Sequence, residues 1–480
     1  MNRNELWADS EAHQRRLEKS AIALIAVRRN LSADRGLACG IDEFLRLYKV
    51  LADLEPQQFT PIWSDPGAYF WTRRTVHFLA AMRGEPLGTV ERDYCAELGV
   101  SDVREALAHH LGEFKRFALA AGVIGEIDVS FSAPYEASLP LAIAGTPYVM
   151  LGEKHARISG VRGGAIEVLN PSRRLEAAAA KSASSHELRI EACPTVTLDE
   201  ISVFLNPATF RWPGVGIAAG WTELLLAFQH EHAPLVADAL AAVRRFQPSA
   251  LSHFAAGLHT IGLKPHDADF VNVTASELPG AFACSVPTDT YLLGGSFIHE
   301  FHHNTLFALE EQHGAFFGAS EADEIEGENH YSPWVETLRP LHGIVHAVYV
   351  FIPVFRYWSA ILRDGSSDTI RLAFAREQMA RIPAQLRMGI NQLRRFGNLT
   401  PFAREFIDAL AAEAVDVQRE SAALGTTLRT PVVGITTSGR LTPLLRGGRE
   451  VTVRETLLEH FDASDIYREC AAEKAEIVAA

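Results

Sequence analysis

Cysteine is scarce and scattered. The five cysteines, Cys39, Cys95, Cys193, Cys284 and Cys470, are odd in number and form no CxxC pair. That excludes a cysteine zinc site and a disulfide framework, and points to a reducing, cytoplasmic setting. The opening residues, MNRNELWADSEAHQRR, hold no apolar run, so no signal peptide is expected in them. Long uninterrupted apolar runs are missing too. The most apolar stretch, HGIVHAVYVFIPVFRYW, carries two His and an Arg, and is expected to be a buried helix rather than a membrane span. Basic residues are outnumbered, 45 against 59, for a net charge of −14. Such a chain is a poor match for a phosphate backbone, so no nucleic-acid partner is expected. A neutral or basic peptide suits the charge better. There is no Gly-rich phosphate loop, no G-x-S-x-G elbow and no dinucleotide fingerprint.

What is present is enough apolar material, 48% of 480 residues, for a sizeable core. The expected class is α+β, mainly helical. Residues 1–120 read as a helical region. Its clearest helix is SDVREALAHHLGEFKRFALAAG, with Ser101 as N-cap and Gly122 as stop. Residues 121–215 read as β-rich: EIDVSFS alternates, and ARISGVRGGAIEVLN predicts a hairpin at Gly163-Gly164. LEAAAAKSASS reads as a short helix or loose connection. Residues 216–425 read as a helical region with strands DFVNVTA and GAFACSVP just before a metal-motif helix. Residues 426–480 form a C-terminal extension of turns and a final helix.

The chemistry is carried by GGSFIHEFHHN, Gly294 to Asn304. His299 and His303 are one helical turn apart on one face and can grip one metal ion. Glu300 sits beside that face, within reach of a water or ligand. The helix is expected to run from a cap at Asp289 to a stop at Gly314. Gly294 and Gly295 each cost it about 1 kcal/mol relative to Ala. Gly295 lies one turn before His299, where a missing side chain leaves room for a ligand or substrate. A third ligand is sought downstream. Glu310 is nearly two turns beyond His303 and is set aside as out of reach. The acidic run EADEIEGENH, with Glu321, Glu324, Glu328 and His330, reads as a solvated loop. His342 and His346, four apart in the apolar run, are the better candidates: His346 as ligand, His342 as reserve or supporting partner.

FIHEFHHNTLFAL followed by YSPWVETLRPLHGIVHAVYVF resembles the HExxH-motif peptide-modification family associated with ribosomally synthesised and post-translationally modified peptides. The likeness is best over residues 279–358 and extends over about 216–425. It is carried by Pro333-Trp334, Arg339-Pro340-Leu341 and His346-x-x-Tyr349-x-Phe351 beside the metal motif. Two positions depart from the pattern: Val335-Glu336 in place of a basic residue after Trp334, and Ala347 in place of Gly. The resemblance supports His299, His303 and His346 as metal ligands and implies Arg339 and Trp334 as pocket residues. Taken with the motif, the expected catalytic residues are Glu300 and Arg339, and Trp334, His342, Gly295 and Tyr349 are expected around a substrate or cosubstrate pocket. The resemblance also implies a ribosomally made precursor peptide as partner.

Two chemistries fit these residues. In one, a zinc peptidase, Glu300 removes a proton from a water that attacks a peptide carbonyl, and GAFACSV holds an extended substrate by edge pairing. In the other, ferrous iron and 2-oxoglutarate support hydroxylation of a peptide side chain, with Arg339 pairing the free carboxylate of the oxo-acid. Hydroxylation is the favoured expectation, because the family resembles side-chain modifiers more than proteases. A non-catalytic peptide-binding partner with a structural metal is the third possibility.

Overall fold

Residues 10–125 fold into helices: α1 (Ser10–Ala33), α2 (Ile41–Ala52), α3 (Pro56–Trp63), α4 (Pro66–Ala81), α5 (Thr89–Leu98), α6 (Val103–Gly112) and α7 (Lys115–Gly125). The computed structural model describes residues 10–480 except 153–154, 170–171, 176–187, 214, 216–223, 267–271, 319–329, 336, 437–438 and 463–470. Most of LEAAAAKSASS and of the acidic run, with Glu321, Glu324 and Glu328, lies outside the described residues. The single helix expected from Ser101 to Gly122 is two helices. Asp102 caps the first, accepting from the Arg104 N–H, and the chain turns at Glu113 and Phe114. Gly122 is no stop. A Cβ there would come within 2.7 Å of the Val161 Cβ, so the glycine lets α7 pack tightly on the β region.

Helix accounts for 58% and strand for 19% of the structure, which makes the protein mainly helical α+β. The middle region holds a sheet in the order β1 (Val129–Ser138), β4 (His155–Arg162), β5 (Ala165–Leu169), β6 (Ser172–Leu175). A smaller sheet joins β2 (Leu141–Ala142), β3 (Tyr148–Leu151) and β7 (Arg189–Ala192). The β4–β5 turn is Gly163-Gly164, with φ of 52° and 77°. Positive φ at both central positions is the hairpin geometry that glycine pairs allow.

A five-stranded sheet then bridges the middle and metal-motif regions. Its order is β11 (Val273–Thr274), β12 (Ala281–Val286), β10 (Thr260–Pro265), β9 (Ile201–Phe204), β8 (Thr195–Leu198). The boundary expected at residue 215 therefore runs through one hydrogen-bonded sheet. β12 is parallel to β10 and antiparallel to β11, and every one of its residues is buried. GAFACSV is thus an inner strand and not a free edge for substrate.

Around this sheet pack α8 (Leu224–Phe246), α9 (Pro248–Gly257), α10 (Thr290–His313), α11 (Leu341–Asp364), α12 (Thr369–Phe396) and α13 (Pro401–Ala423). Asp289 caps α10 by accepting from the Tyr291 and Leu292 N–H groups, and Gly314 ends it. Phe297, Ile298, Phe301 and Leu306 fix α10 in the core. α11 is long and apolar enough to cross a membrane, but 78% of its most apolar window is buried inside the fold, as in a core helix. The C-terminal segment adds the hairpins β15 (Val433–Ile435)–β16 (Leu441–Pro443) and β17 (Leu445–Arg446)–β18 (Arg449–Glu450), then α14 (Val453–Asp462) and α15 (Ala471–Ala479). It is docked on α12: the Val433 N–H donates to Glu377 Oε2.

Candidate metal centre

One helical turn brings the Nε2 atoms of His299 and His303 to 3.1 Å. Two nitrogens bound to one ion at about 2.0–2.1 Å are roughly 2.9–3.4 Å apart for ligand angles between 90° and tetrahedral. The pair therefore has chelating geometry. Burial holds the His299 imidazole down at about 4, helped by the charges of His346 and Arg339. Burial likewise pushes His303 well below its ordinary value, with His299 and His346 adding to it. Both rings are thus neutral, the form a metal needs.

Glu300, 2% exposed, turns from this face toward β11. Its Oε2 accepts from Thr274 Oγ1 at 2.8 Å, and the same hydroxyl lies 3.0 Å from the Glu300 carbonyl oxygen. Burial raises the carboxyl to about 8, against the opposing pull of the Thr274 hydrogen bond. Glu300 Oε1 is 3.8 Å from His299 Nε2.

His299, Glu300 and Gly295 share the wall of a cavity of about 390 Å³ with Asn272, Ser285 and Trp358. At Gly295 the nearest obstacle to a Cβ is the Trp358 ring at 3.4 Å, so its missing side chain does enlarge the cavity. Gly294 has a different reason: a Cβ there would lie 2.7 Å from Tyr357 Oη. Asn272 Oδ1 accepts from the Ser285 N–H at 3.0 Å, closing the end of β12 with a side chain. Ile435, from the C-terminal segment, also lines the cavity.

His346 comes from α11, buried, with its Nδ1 2.9 Å from His303 Nδ1. That is the ring atom of His303 opposite the one facing His299. The three imidazoles form a chain rather than closing on one point. With His303 Nε2 ligating, its Nδ1–H donates to His346, which fixes the tautomer. Glu310, set aside from the sequence as out of reach of the His299–His303 pair, does not join that pair but meets His342 and His346. It is about 10 Å along the helix from His303, but α11 crosses there. Its Oε1 lies 2.5 Å from His342 Nε2, and its Oε2 3.8 Å from His346 Nε2. Burial favours the neutral acid, yet the bond to His342 and the nearby His346 imidazole hold the Glu310 carboxyl down at about 2.

No family model matches this chain, and no curated protein matches it either. The chemistry of the centre has to follow from its own residues.

Arg339 ends β14 (Thr337–Arg339), which pairs with β13 (His330–Ser332). It is exposed, its charge is felt by both His299 and His303, and it has no carboxylate partner among the described residues. Trp334 stacks on Phe351 (5.6 Å), which in turn meets His299 edge-on (5.1 Å). Trp334 is therefore one ring removed from the metal pair and outside the cavity lining. His342 is likewise outside it, beside Glu310. Tyr349 corrects the expectation of a pocket residue: it is fully buried and stacks on Phe406, on the core side of α11. Asn272, Thr274, Ser285 and Trp358 also belong to the site, and the sequence does not single them out. Nothing in their local sequence marks them, since they converge through the sheet and the α10–α11 packing.

Proposed function

We propose that the protein is a metal-dependent enzyme that hydroxylates a side chain of a ribosomally made peptide, using ferrous iron and 2-oxoglutarate. The observation that carries this reading is Arg339: an exposed guanidinium without a described carboxylate partner, close enough to the His299–His303 pair for both rings to feel its charge. A small dicarboxylate that chelates at the imidazoles and ends on an arginine suits that arrangement.

His299 and His303 would hold the ion, and His346, at the far nitrogen of His303, orients that ring. Bound iron would supply the oxidising chemistry, coupling dioxygen and 2-oxoglutarate to C–H hydroxylation with succinate and carbon dioxide as coproducts. The chain's own residues do the rest. Arg339 binds and orients the cosubstrate. Glu300, tethered to Thr274, shapes the cavity wall beside His299. Asn272, Ser285 and the Gly295 gap receive the substrate segment. A reducing, cytoplasmic setting keeps iron ferrous, and Cys95, Cys193 and Cys284 are buried free thiols in keeping with it.

One observation favours a second reading, zinc-dependent hydrolysis: Glu300 lines the cavity next to His299, where a general base for water would stand. The test is the visible spectrum of metal-stripped protein given ferrous iron and 2-oxoglutarate without oxygen. A charge-transfer band is expected, lost in His299→Ala, and needing roughly ten-fold or more extra 2-oxoglutarate in Arg339→Gln, about the worth of one charge-assisted hydrogen bond. No band, together with zinc-dependent peptide cleavage that Glu300→Gln abolishes, refutes hydroxylation and establishes hydrolysis.

A further inference from the structure

Glu310, His342 and His346 each turn one donor atom inward, and these atoms lie within 4.8 Å of one another. His342 and His346 are one turn apart on α11, and Glu310 reaches across from α10. The His346 Nε2 atom is buried with no hydrogen-bond partner. Its 3.8 Å distance to Glu310 Oε2 is too long for a hydrogen bond. Two donors each about 2.1 Å from a shared ion would subtend roughly 130° at that spacing, so they have to close by about 0.4 Å to reach tetrahedral geometry. His342 is 45% exposed at its side chain, so the cluster opens to solvent on that side, while Phe307 covers His346 with ring centroids 4.7 Å apart. The 2.5 Å contact between His342 and Glu310 has to lengthen around an ion, and His342 is the half-exposed member of the cluster, on its solvent side.

We propose that Glu310, His342 and His346 form a second divalent-cation site, alternative in occupancy to the His299–His303 pair. Two imidazole nitrogens and one carboxylate suit zinc or ferrous iron rather than calcium or magnesium. The alternation follows from proton placement. A neutral imidazole carries one proton and one lone pair. When an ion takes the lone pair of His346 Nε2, the proton sits on Nδ1, facing His303 Nδ1 at 2.9 Å. His303 then accepts at Nδ1 and keeps its own proton on Nε2, the atom that must face an ion shared with His299. Filling one position therefore disfavours the other, and the second site is a means by which surplus metal turns the first one off. This inference does not depend on whether the first site hydroxylates or hydrolyses.

The test uses full-length, metal-stripped protein and zinc or cobalt(II) alone, with far-UV circular dichroism to verify folding. His299→Ala/His303→Ala is expected to bind one ion, and to lose it when Glu310→Gln or His342→Asn is added. The wild-type chain is expected to bind one ion tightly, with a second entering only at much higher concentration. If the His299/His303 double variant folds and binds nothing, the site does not exist. If binding survives Glu310→Gln and His342→Asn, these residues are not its ligands. Two equally tight equivalents in the wild type refute the alternation. Should the alanine pair not fold, His299→Gln/His303→Gln serves the same purpose. Failure of the function proposed above shows elsewhere, as a missing iron–oxo-acid band with Glu310 and His342 intact.

Discussion

Gly294 and Gly295 are neighbours in one helix, and replacing each with alanine should have opposite effects. Both substitutions gain about 1 kcal/mol from backbone preference. At Gly295 the new methyl meets only Trp358 ring atoms at 3.4–3.7 Å, ordinary contact distances. Gly295→Ala should therefore stabilise the protein by up to about 1 kcal/mol. At Gly294 the methyl would lie 2.7 Å from Tyr357 Oη and 3.2 Å from the Ala239 carbonyl oxygen. Tyr357 is fully buried and donates to the Tyr291 carbonyl oxygen at 3.2 Å, so it has no open space to move into. Overpacking of this kind costs about 1–3 kcal/mol, which exceeds the helix gain at all but its lower end. The two variants should differ by about 2 kcal/mol, with wild type between them. Urea unfolding of the three proteins side by side measures it. Equal midpoints, or a more stable Gly294→Ala, would refute the assignment of Gly294 to packing and Gly295 to the cavity.

Thr274→Val removes the hydroxyl that holds Glu300, and should cost about 1–3 kcal/mol in urea unfolding because a buried carboxyl loses its donor; an unchanged midpoint would show that the tether is not formed in solution. Glu91 is 2% exposed and paired with the Arg74 guanidinium, so Glu91→Gln strands a buried cation and should destabilise by about 3–5 kcal/mol. A loss below about 1 kcal/mol, the range of exposed pairs, would mean that the pair is solvated. Burial among Trp71, Phe78 and Tyr94 pushes the His110 imidazole from 6.5 down to about 3. The unfolded chain takes up this proton first, so the His110 contribution is intact above pH 6.5 and drains as the pH falls from 6.5 toward 3. Urea midpoints at stepped pH should fall less steeply in His110→Gln; parallel curves would contradict the shift.

Much of the local structure was legible. The cap at Asp289, the stop at Gly314 and the Gly163-Gly164 hairpin follow from turn and cap chemistry, which acts within a few residues. The α6–α7 break was not legible, because the apolar stripe runs on through it. Gly122 reads as a helix end in the sequence because its actual reason, the Val161 side chain, belongs to another element. The inner position of β12 likewise depends on which strands reach it from either side.

The sequence by itself determined that His299 and His303 share a face, since a helix places residues four apart on one side whatever surrounds it. It also determined that His342 and His346 share a face. The tertiary structure alone decided what these pairs do together. The crossing of α11 over α10 brought Glu310 to His342 and His346, and turned His346 toward the far nitrogen of His303. The sheet set Thr274 against Glu300 and Asn272 at the cavity. These contacts span 26 to 43 residues along the chain. They arise from packing of whole elements around a shared core, which local spacing does not encode.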